Sequence, residues 1–199
     1  MILKDFNLNK SWTLFLDRDG VINKQIVDDY ILTWRQFEFI PGVPEAIKIL
    51  SSVFGKIIIV TNQQGIGRGL MTEKDLSEIH SNMIAEIEKH GGRIDAVYYA
   101  PYAPENNSMD RKPNVGMALK AKKDFPEINF KKSVMAGDSI SDMEFGNRLG
   151  MINVLINKDK TILRKIPELI NFAATDLKDF SLQIKDTLNL TEPADLCKP

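Results

Sequence analysis

The apolar run Leu14-Phe15-Leu16 stops on two carboxylates one residue apart, in Asp17-Arg18-Asp19-Gly20. Side chains alternate between faces along a strand, so Asp17 and Asp19 are expected to project together while Arg18 points away. Two acids in one small volume cannot both ionise cheaply; they need a cation, a retained proton, or both. A carboxylate nucleophile that accepts a phosphoryl group has the same requirement. On their own the two acids equally suit a solvated turn, for which Asp-Gly is a common dipeptide. Three further clusters shift that balance. Thr61-Asn62-Gln63-Gln64-Gly65-Ile66-Gly67-Arg68-Gly69 joins a hydroxyl and amides to a glycine-rich turn, offering side-chain and backbone donors to phosphate oxygens. The same glycines would also make a flexible turn. Arg111-Lys112-Pro113-Asn114 supplies a lysine held by proline, suited to neutralise both a bound phosphate and the carboxylate that approaches it. Gly137-Asp138-Ser139-Ile140-Ser141-Asp142 adds two acids; Asp17, Asp138 and a main-chain carbonyl are the hard oxygen ligands that Mg²⁺ takes. Asp142 serves equally well as a negative charge at a helix N-terminus.

These clusters need a scaffold that brings them together. Residues 12–16 and 56–60 read as buried strands, the second around Ile57-Ile58-Ile59-Val60, and residues 44–50 carry apolar side chains at helical spacing between them. Strand, loop, helix, strand is a crossover unit. Thr72 is an N-cap for a helix whose stripe of Leu76, Ile79, Met83, Ile84 and Ile87 ends at His90-Gly91-Gly92. Strands over 96–99, 133–136 and 151–156 alternate with helices over 115–125 and 141–149; residues 171–175 read as an edge strand and 177–188 as a last helix. The expected class is α/β, a doubly wound and mostly parallel sheet with helices on both faces. All four clusters then fall at strand ends, where ligands gather in such sheets. The loop over 23–40 is long for a crossover connection, and long loops often act as lids.

Composition narrows the function classes. A chain of 199 residues suits one domain, with a core over about 11–156 and a C-terminal extension over 157–199. Hydrophobic residues at 43% and charged residues at 27% are ordinary for a soluble protein. A formal net charge of −1 offers no broad basic surface, so no nucleic-acid partner is expected. The single cysteine, Cys197, excludes a disulfide framework and a cysteine-built zinc cluster. The N-terminus lacks the apolar core of a signal peptide and no apolar run reaches membrane-spanning length, which points to a cytoplasmic protein without a membrane partner.

Acid pair, hydroxyl, lysine, acid pair, each at a strand end and in this order, resembles the haloacid dehalogenase superfamily of phosphohydrolases over roughly residues 11–156. The resemblance implies that Asp17 attacks phosphorus, that Asp19 protonates the leaving oxygen and then deprotonates water, and that Lys112 offsets phosphoryl charge. It also implies Mg²⁺ held by Asp17, Asp19 through its carbonyl, Asp138 and Asp142. Asp17 would begin charged and Asp19 protonated. Thr61, Asn62, Gln63, Gln64 and Arg68 would meet the phosphate and substrate, with Asp28, Asp29, Tyr30 and Arg111 at the sugar and its remote phosphate. Compact members lack a large cap, so loops near 24–36 and 100–110 should shape the pocket.

Within the superfamily, Asp17-Arg18-Asp19-Gly20-Val21-Ile22-Asn23, Phe37-Glu38-Phe39-Ile40-Pro41-Gly42-Val43, the Thr61–Gly69 run and Arg111-Lys112-Pro113 are similar to the D-glycero-D-manno-heptose-1,7-bisphosphate phosphatases. Histidinol-phosphate phosphatases share much of the pattern but fit it less well. Many members carry a Cys/His zinc loop before Arg-Lys-Pro; here Ala100, Tyr102, Ser108 and Asp110 stand at those positions, so no zinc is expected and Pro101 and Pro104 would help hold Lys112. A small sugar phosphate acted on by a monomer is the expected partner. Phosphate removal from nucleic-acid 3′ ends is a further reading, against which the balanced charge argues. A receiver-type signalling module also uses Asp, Thr and Lys, but it phosphorylates an Asp after a middle strand, whereas here the leading acid pair follows the first.

Overall fold

Runs of aliphatic and β-branched residues form the strands at Thr13–Leu16 (β1), Lys56–Asn62 (β2), Ala96–Ala100 (β3), Ser133–Gly137 (β4), Ile152–Ile156 (β5) and Phe172–Ala174 (β6). In the computed structural model, which describes residues 3–26, 29–157 and 161–190, these pair into one sheet of order β3-β2-β1-β4-β5-β6 with every pairing parallel. β1 is central: Leu16 stands opposite Ile59 of β2 and Ala136 of β4. The chain builds outward from β1 to β2 and β3, then crosses back to β4, β5 and β6. That reversal opens a crevice at the carboxyl ends of β1 and β4.

Helices cover both faces, as parallel strands require. They are Val43–Val53 (α1), Gln64–Gly67 (α2), Glu73–Lys89 (α3), Gly116–Asp124 (α4), Ile140–Leu149 (α5), Thr161–Lys165 (α6) and Leu177–Thr187 (α7). Strand alternation divides the core in two. Leu14, Leu16, Ile57 and Ile59 pack in one cluster with Ile47 and Leu50 of α1, Ile79 and Met83 of α3, and Phe180 of α7. Phe15, Ile58, Val60 and Met135 face the other way, onto Met117, Ala118 and Ala121 of α4 and Phe145 of α5. Each fully buried aliphatic or phenyl side chain stabilises this sandwich by roughly 1.5–3 kcal/mol relative to exposure. α3 starts where Thr72 accepts from the Asp75 N–H and Asp75 accepts in turn from the Thr72 N–H at 2.8 Å.

The edge strand and last helix read from the sequence are both present, and the observed elements differ from the expected spans by a few residues at their ends. The long loop after β1 is a built ribbon whose two arms pair through Lys24 N–H to Glu38 O at 2.9 Å and Ile40 N–H to Ile22 O at 3.0 Å. Trp34 stacks on Phe37 at 5.0 Å between ring centroids, and Phe37 meets Phe39 edge-on at the same separation. Among the described residues, no helix is long and apolar enough to cross a membrane. Among the described residues, no separate cap domain is evident. Cys197 lies outside the described residues.

Candidate active site

Asp17 follows the last residue of β1, and its N–H donates to Ala136 O at 3.0 Å, which fixes it between the ends of β1 and β4. Asp138 and Asp142 come from the turn after β4 and the first turn of α5. One carboxylate oxygen from each of Asp17, Asp138 and Asp142 lies within 4.8 Å of the others. Into this group reaches the ammonium of Lys112, which donates to Asp17 Oδ1 at 2.7 Å and Val60 O at 2.7 Å and stands 2.6 Å from Asp142 Oδ1. Lys112 is 4% exposed and Asp142 fully buried, so water screens these charges little.

Asp142 serves two purposes with two oxygens. Its Oδ2 accepts from the Ser139 N–H at 3.1 Å and the Ser139 hydroxyl at 2.6 Å, capping α5, while Oδ1 faces Lys112. The residue thus stands at the start of α5 and beside Lys112 and Asp17 at once. Gly20 makes the approach possible. It sits at φ +84°, and a Cβ there would stand 2.0 Å from Asp138 Oδ2.

Burial, with charge crowding behind it, sets the protonation. Burial, then Asp142 and Asp19, push Asp17 up to about 7 in spite of Lys112. Burial, then Asp17 and Asp142, push Asp138 up to about 8. Burial disfavours the Lys112 ammonium, but Asp142 and Asp17 outweigh that and hold it above its ordinary value. Three carboxylates against one ammonium leave an excess of two negative charges when all are ionised.

The Asp17-Arg18-Asp19 segment departs from strand alternation in one respect. β1 ends at Leu16, and the Arg18 side chain does not point away but returns to Asp19, donating through Nη2 to both carboxylate oxygens at 2.8 and 2.9 Å and through Nε at 3.2 Å. Asn23 Nδ2 and Gln63 Nε2 also donate to Asp19, at 2.9 and 2.8 Å. Burial would raise the Asp19 carboxyl, but the charge and hydrogen bonds of Arg18, with Asn23 and Gln63, bring it below the usual carboxylate range. Of the two, Asp17 thus keeps its proton to the higher pH, so the expected starting state, Asp17 charged and Asp19 protonated, calls on Mg²⁺ at Asp17 and phosphate beside Asp19. The bound protons favour Asp17 and Asp138. Behind Arg18, the buried His80 lies with Nε2 3.4 Å from Nη1; burial and then Arg18 lower it to about 3, so it accepts as a neutral ring.

A cavity of about 460 Å³ opens over these groups. Asp17, Asp19, Asp138 and Lys112 line it, together with Thr61, Asn62, Gln63, Gln64, Asp29, Tyr30 and Arg111 from the sequence-derived set, and Ser139 and Ser141, which sequence reading passed over. Asp142 sits beneath it. Arg68 is exposed and does not line it, although its charge is felt by Arg111. Asp28 lies outside the described residues. Gln63 spends its amide on Asp19 Oδ2 and on Thr61 Oγ1 at 2.9 Å, whereas Asn62 turns its amide to the Lys112 backbone. His80 and Arg18 were also missed. His80 falls one turn after Leu76 on a core-facing stripe, and no sequence signal separates it from packing.

A family profile described as polynucleotide kinase 3 phosphatase matches residues 6–182. A D-glycero-alpha-D-manno-heptose-1,7-bisphosphate 7-phosphatase from Mycobacterium bovis is 41% identical over 138 residues, covering 69% of this chain and 73% of that one. The chain belongs to the haloacid dehalogenase-like heptose-bisphosphate phosphatases. A family member from Helicobacter pylori, a D-glycero-beta-D-manno-heptose-1,7-bisphosphate 7-phosphatase, is 37% identical over 150 residues, 75% of this chain and 85% of that one. The solved D,D-heptose 1,7-bisphosphate phosphatase from B. bronchiseptica, complexed with magnesium and phosphate, superposes with a TM-score of 0.80 at 27% identity, over 88% of this chain and 98% of that one. The residues of the present family member fit a divalent cation. Its three carboxylates are hard oxygen donors, and their excess of two negative charges and raised Asp17 and Asp138 are what a dication would relieve.

Proposed function

We infer that this chain hydrolyses the 7-phosphate of D-glycero-D-manno-heptose 1,7-bisphosphate, with Asp17 as nucleophile and Mg²⁺ as cofactor. The observation that carries the phosphatase reading is the Lys112 ammonium 2.7 Å from Asp17 Oδ1 at the end of β1, inside the Asp17–Asp138–Asp142 group. The names of the relatives, at 37–41% identity, support the sugar. Asp17, Asp138 and Asp142 would hold Mg²⁺, which when bound offsets the charge of the carboxylates and of the phosphoryl oxygens.

In the first step an Asp17 oxygen attacks phosphorus in line, the bond from phosphorus to the sugar oxygen breaks, and Asp19 gives its proton to that oxygen. In the second, Asp19 takes a proton from water as the water oxygen attacks phosphorus. The bond from phosphorus to Asp17 then breaks, releasing inorganic phosphate. Arg18 opposes the first step by favouring the Asp19 carboxylate, but the negative charge of an incoming phosphate acts the other way and favours the retained proton. Lys112 stays ionised throughout and offsets charge on Asp17 and on the transferring oxygens. Thr61 and Gln64 are phosphate donors in this reading; Asp29, Tyr30 and Arg111 meet the sugar and the second phosphate, whose negative charge suits the Arg111 guanidinium. The chain acts as a single-domain monomer in the cytoplasm.

The test is phosphate release from a panel of both heptose bisphosphate anomers, histidinol phosphate and a 3′-phosphorylated oligonucleotide. The highest kcat/KM is expected for a heptose bisphosphate, with the 1-phosphate retained in the product. The family profile's description favours the oligonucleotide as a second reading. Faster, salt-sensitive turnover of that substrate would replace the sugar assignment.

A further inference from the structure

Lys112 lies in the irregular segment between β3 and α4, yet its ammonium must enter a gap bounded by Asp17, Asp142 and the Val60 carbonyl. A lysine side chain turns about four torsions, so only a fixed backbone delivers its end to one place. Asn62, the last residue of β2, supplies that fixation. Its Oδ1 accepts from the Lys112 N–H at 3.0 Å and its Nδ2 donates to the Lys112 carbonyl at 3.2 Å. One side-chain amide thus pairs with both polar groups of a single residue fifty positions away, in the manner of a sheet partner. The neighbouring chain is tied separately. Gln63 N–H donates to Ala100 O at 2.7 Å and Gly67 N–H to Pro101 O at 2.8 Å, while Asn114 is held by Arg148 Nη1 at 2.8 Å and itself donates to Ser108 O at 3.0 Å. None of these reaches residue 112 itself.

We propose that Asn62 is a positioning residue for Lys112, fixing the lysine backbone so that its ammonium meets Asp17, rather than a ligand of the substrate phosphate. The proposal rests on the role given to Lys112 above. Asn62→Ala removes both bonds and frees the backbone that delivers the ammonium to Asp17 and Asp142, and a misplacement of about 1 Å costs on the order of 10²-fold in rate. A KM change within about threefold is expected, since the substrate loses no contact.

Three readouts test this, on variants whose thermal melts show an intact fold. Amide hydrogen exchange at Lys112, resolved by ¹⁵N NMR on the metal-free protein, should accelerate at least about tenfold in Asn62→Ala. kcat for heptose bisphosphate should fall with KM held. Adding Asn62→Ala to Lys112→Ala should cost nothing further, because the amide acts only through the lysine. Unchanged Lys112 exchange, or losses that multiply in the double variant, would overturn the clamp. Should Asn62→Ala fail to fold, Asn62→Asp keeps the acceptor and loses the donor, and carries the same cycle. Full turnover by Lys112→Ala would instead sink the catalytic reading of the lysine, while hydrogen exchange would still judge the clamp by itself.

Discussion

Mg²⁺ binding to this chain should expel protons, and the number expelled follows from the crowding of Asp17 and Asp138. With Asp17 raised to about 7 and Asp138 to about 8 in the metal-free protein, the pair keeps more than one proton at pH 6 and has shed most of both by pH 9. A ligating carboxylate must be ionised, so Mg²⁺ competes with these protons and its affinity rises with pH. The expected slope of log affinity against pH is therefore positive, above one near pH 6, and falls toward zero above pH 9. Stability follows the same linkage. Both groups are raised above their unfolded value of 3.8, so the folded chain binds more protons than the unfolded one between about pH 4 and pH 8. Their contribution is present below pH 4 and is lost as pH rises through that window. Added Mg²⁺ should then raise the melting temperature more at pH 8 than at pH 6. Isothermal titration calorimetry in buffers of different ionisation enthalpy counts the protons directly. Release of no proton at pH 6 would refute the crowding argument.

Other substitutions probe separate steps of the account. Asp17→Asn should lower turnover by roughly 10⁴-fold or more and leave the metal-free melting temperature equal or higher, because an amide relieves the like-charge crowding; near-normal turnover would exclude Asp17 as nucleophile. Gly20→Ala places a side chain at φ +84° against Asp138, so calorimetric Mg²⁺ affinity should fall and the protein should lose about 1–2 kcal/mol in urea unfolding from left-handed strain alone. Phe145→Ala empties a fully buried position on α5, the helix that carries Asp142, and should cost about 3–5 kcal/mol by the same measurement. An unchanged midpoint in either case would contradict the packing described here.

Three of the four clusters were legible because each follows a buried apolar run, and the order of such runs fixes a parallel sheet whose carboxyl ends must meet; Lys112 instead comes from the irregular segment beyond the half-buried β3. Position at a strand's end gave Asp17, Thr61 and Asp138 their place at the carboxyl edge of the sheet. Strand alternation misplaced Arg18, because β1 stops at Leu16 and alternation has no meaning in the turn that follows. The lowering of the Asp19 carboxyl stems from that guanidinium and was hidden for the same reason. Asn62 and Gln63 are adjacent amides that sequence reading assigned alike to substrate. The fold sends one to the Lys112 backbone and the other to Asp19 and Thr61. Long-range pairings of this kind depend on loop path, which no local pattern encodes. Asp142 was readable both as a helix N-terminal charge and as a site acid, and its two oxygens face Ser139 and Lys112 respectively.

In the proposed mechanism Asp17 carries the phosphoryl group between the two steps. Enzyme quenched in acid during turnover of heptose bisphosphate, then reduced with borohydride, should yield a peptide in which residue 17 has become homoserine, read by mass spectrometry. Reduction at another carboxylate, or an unmodified Asp17 peptide from enzyme caught mid-turnover, would contradict it.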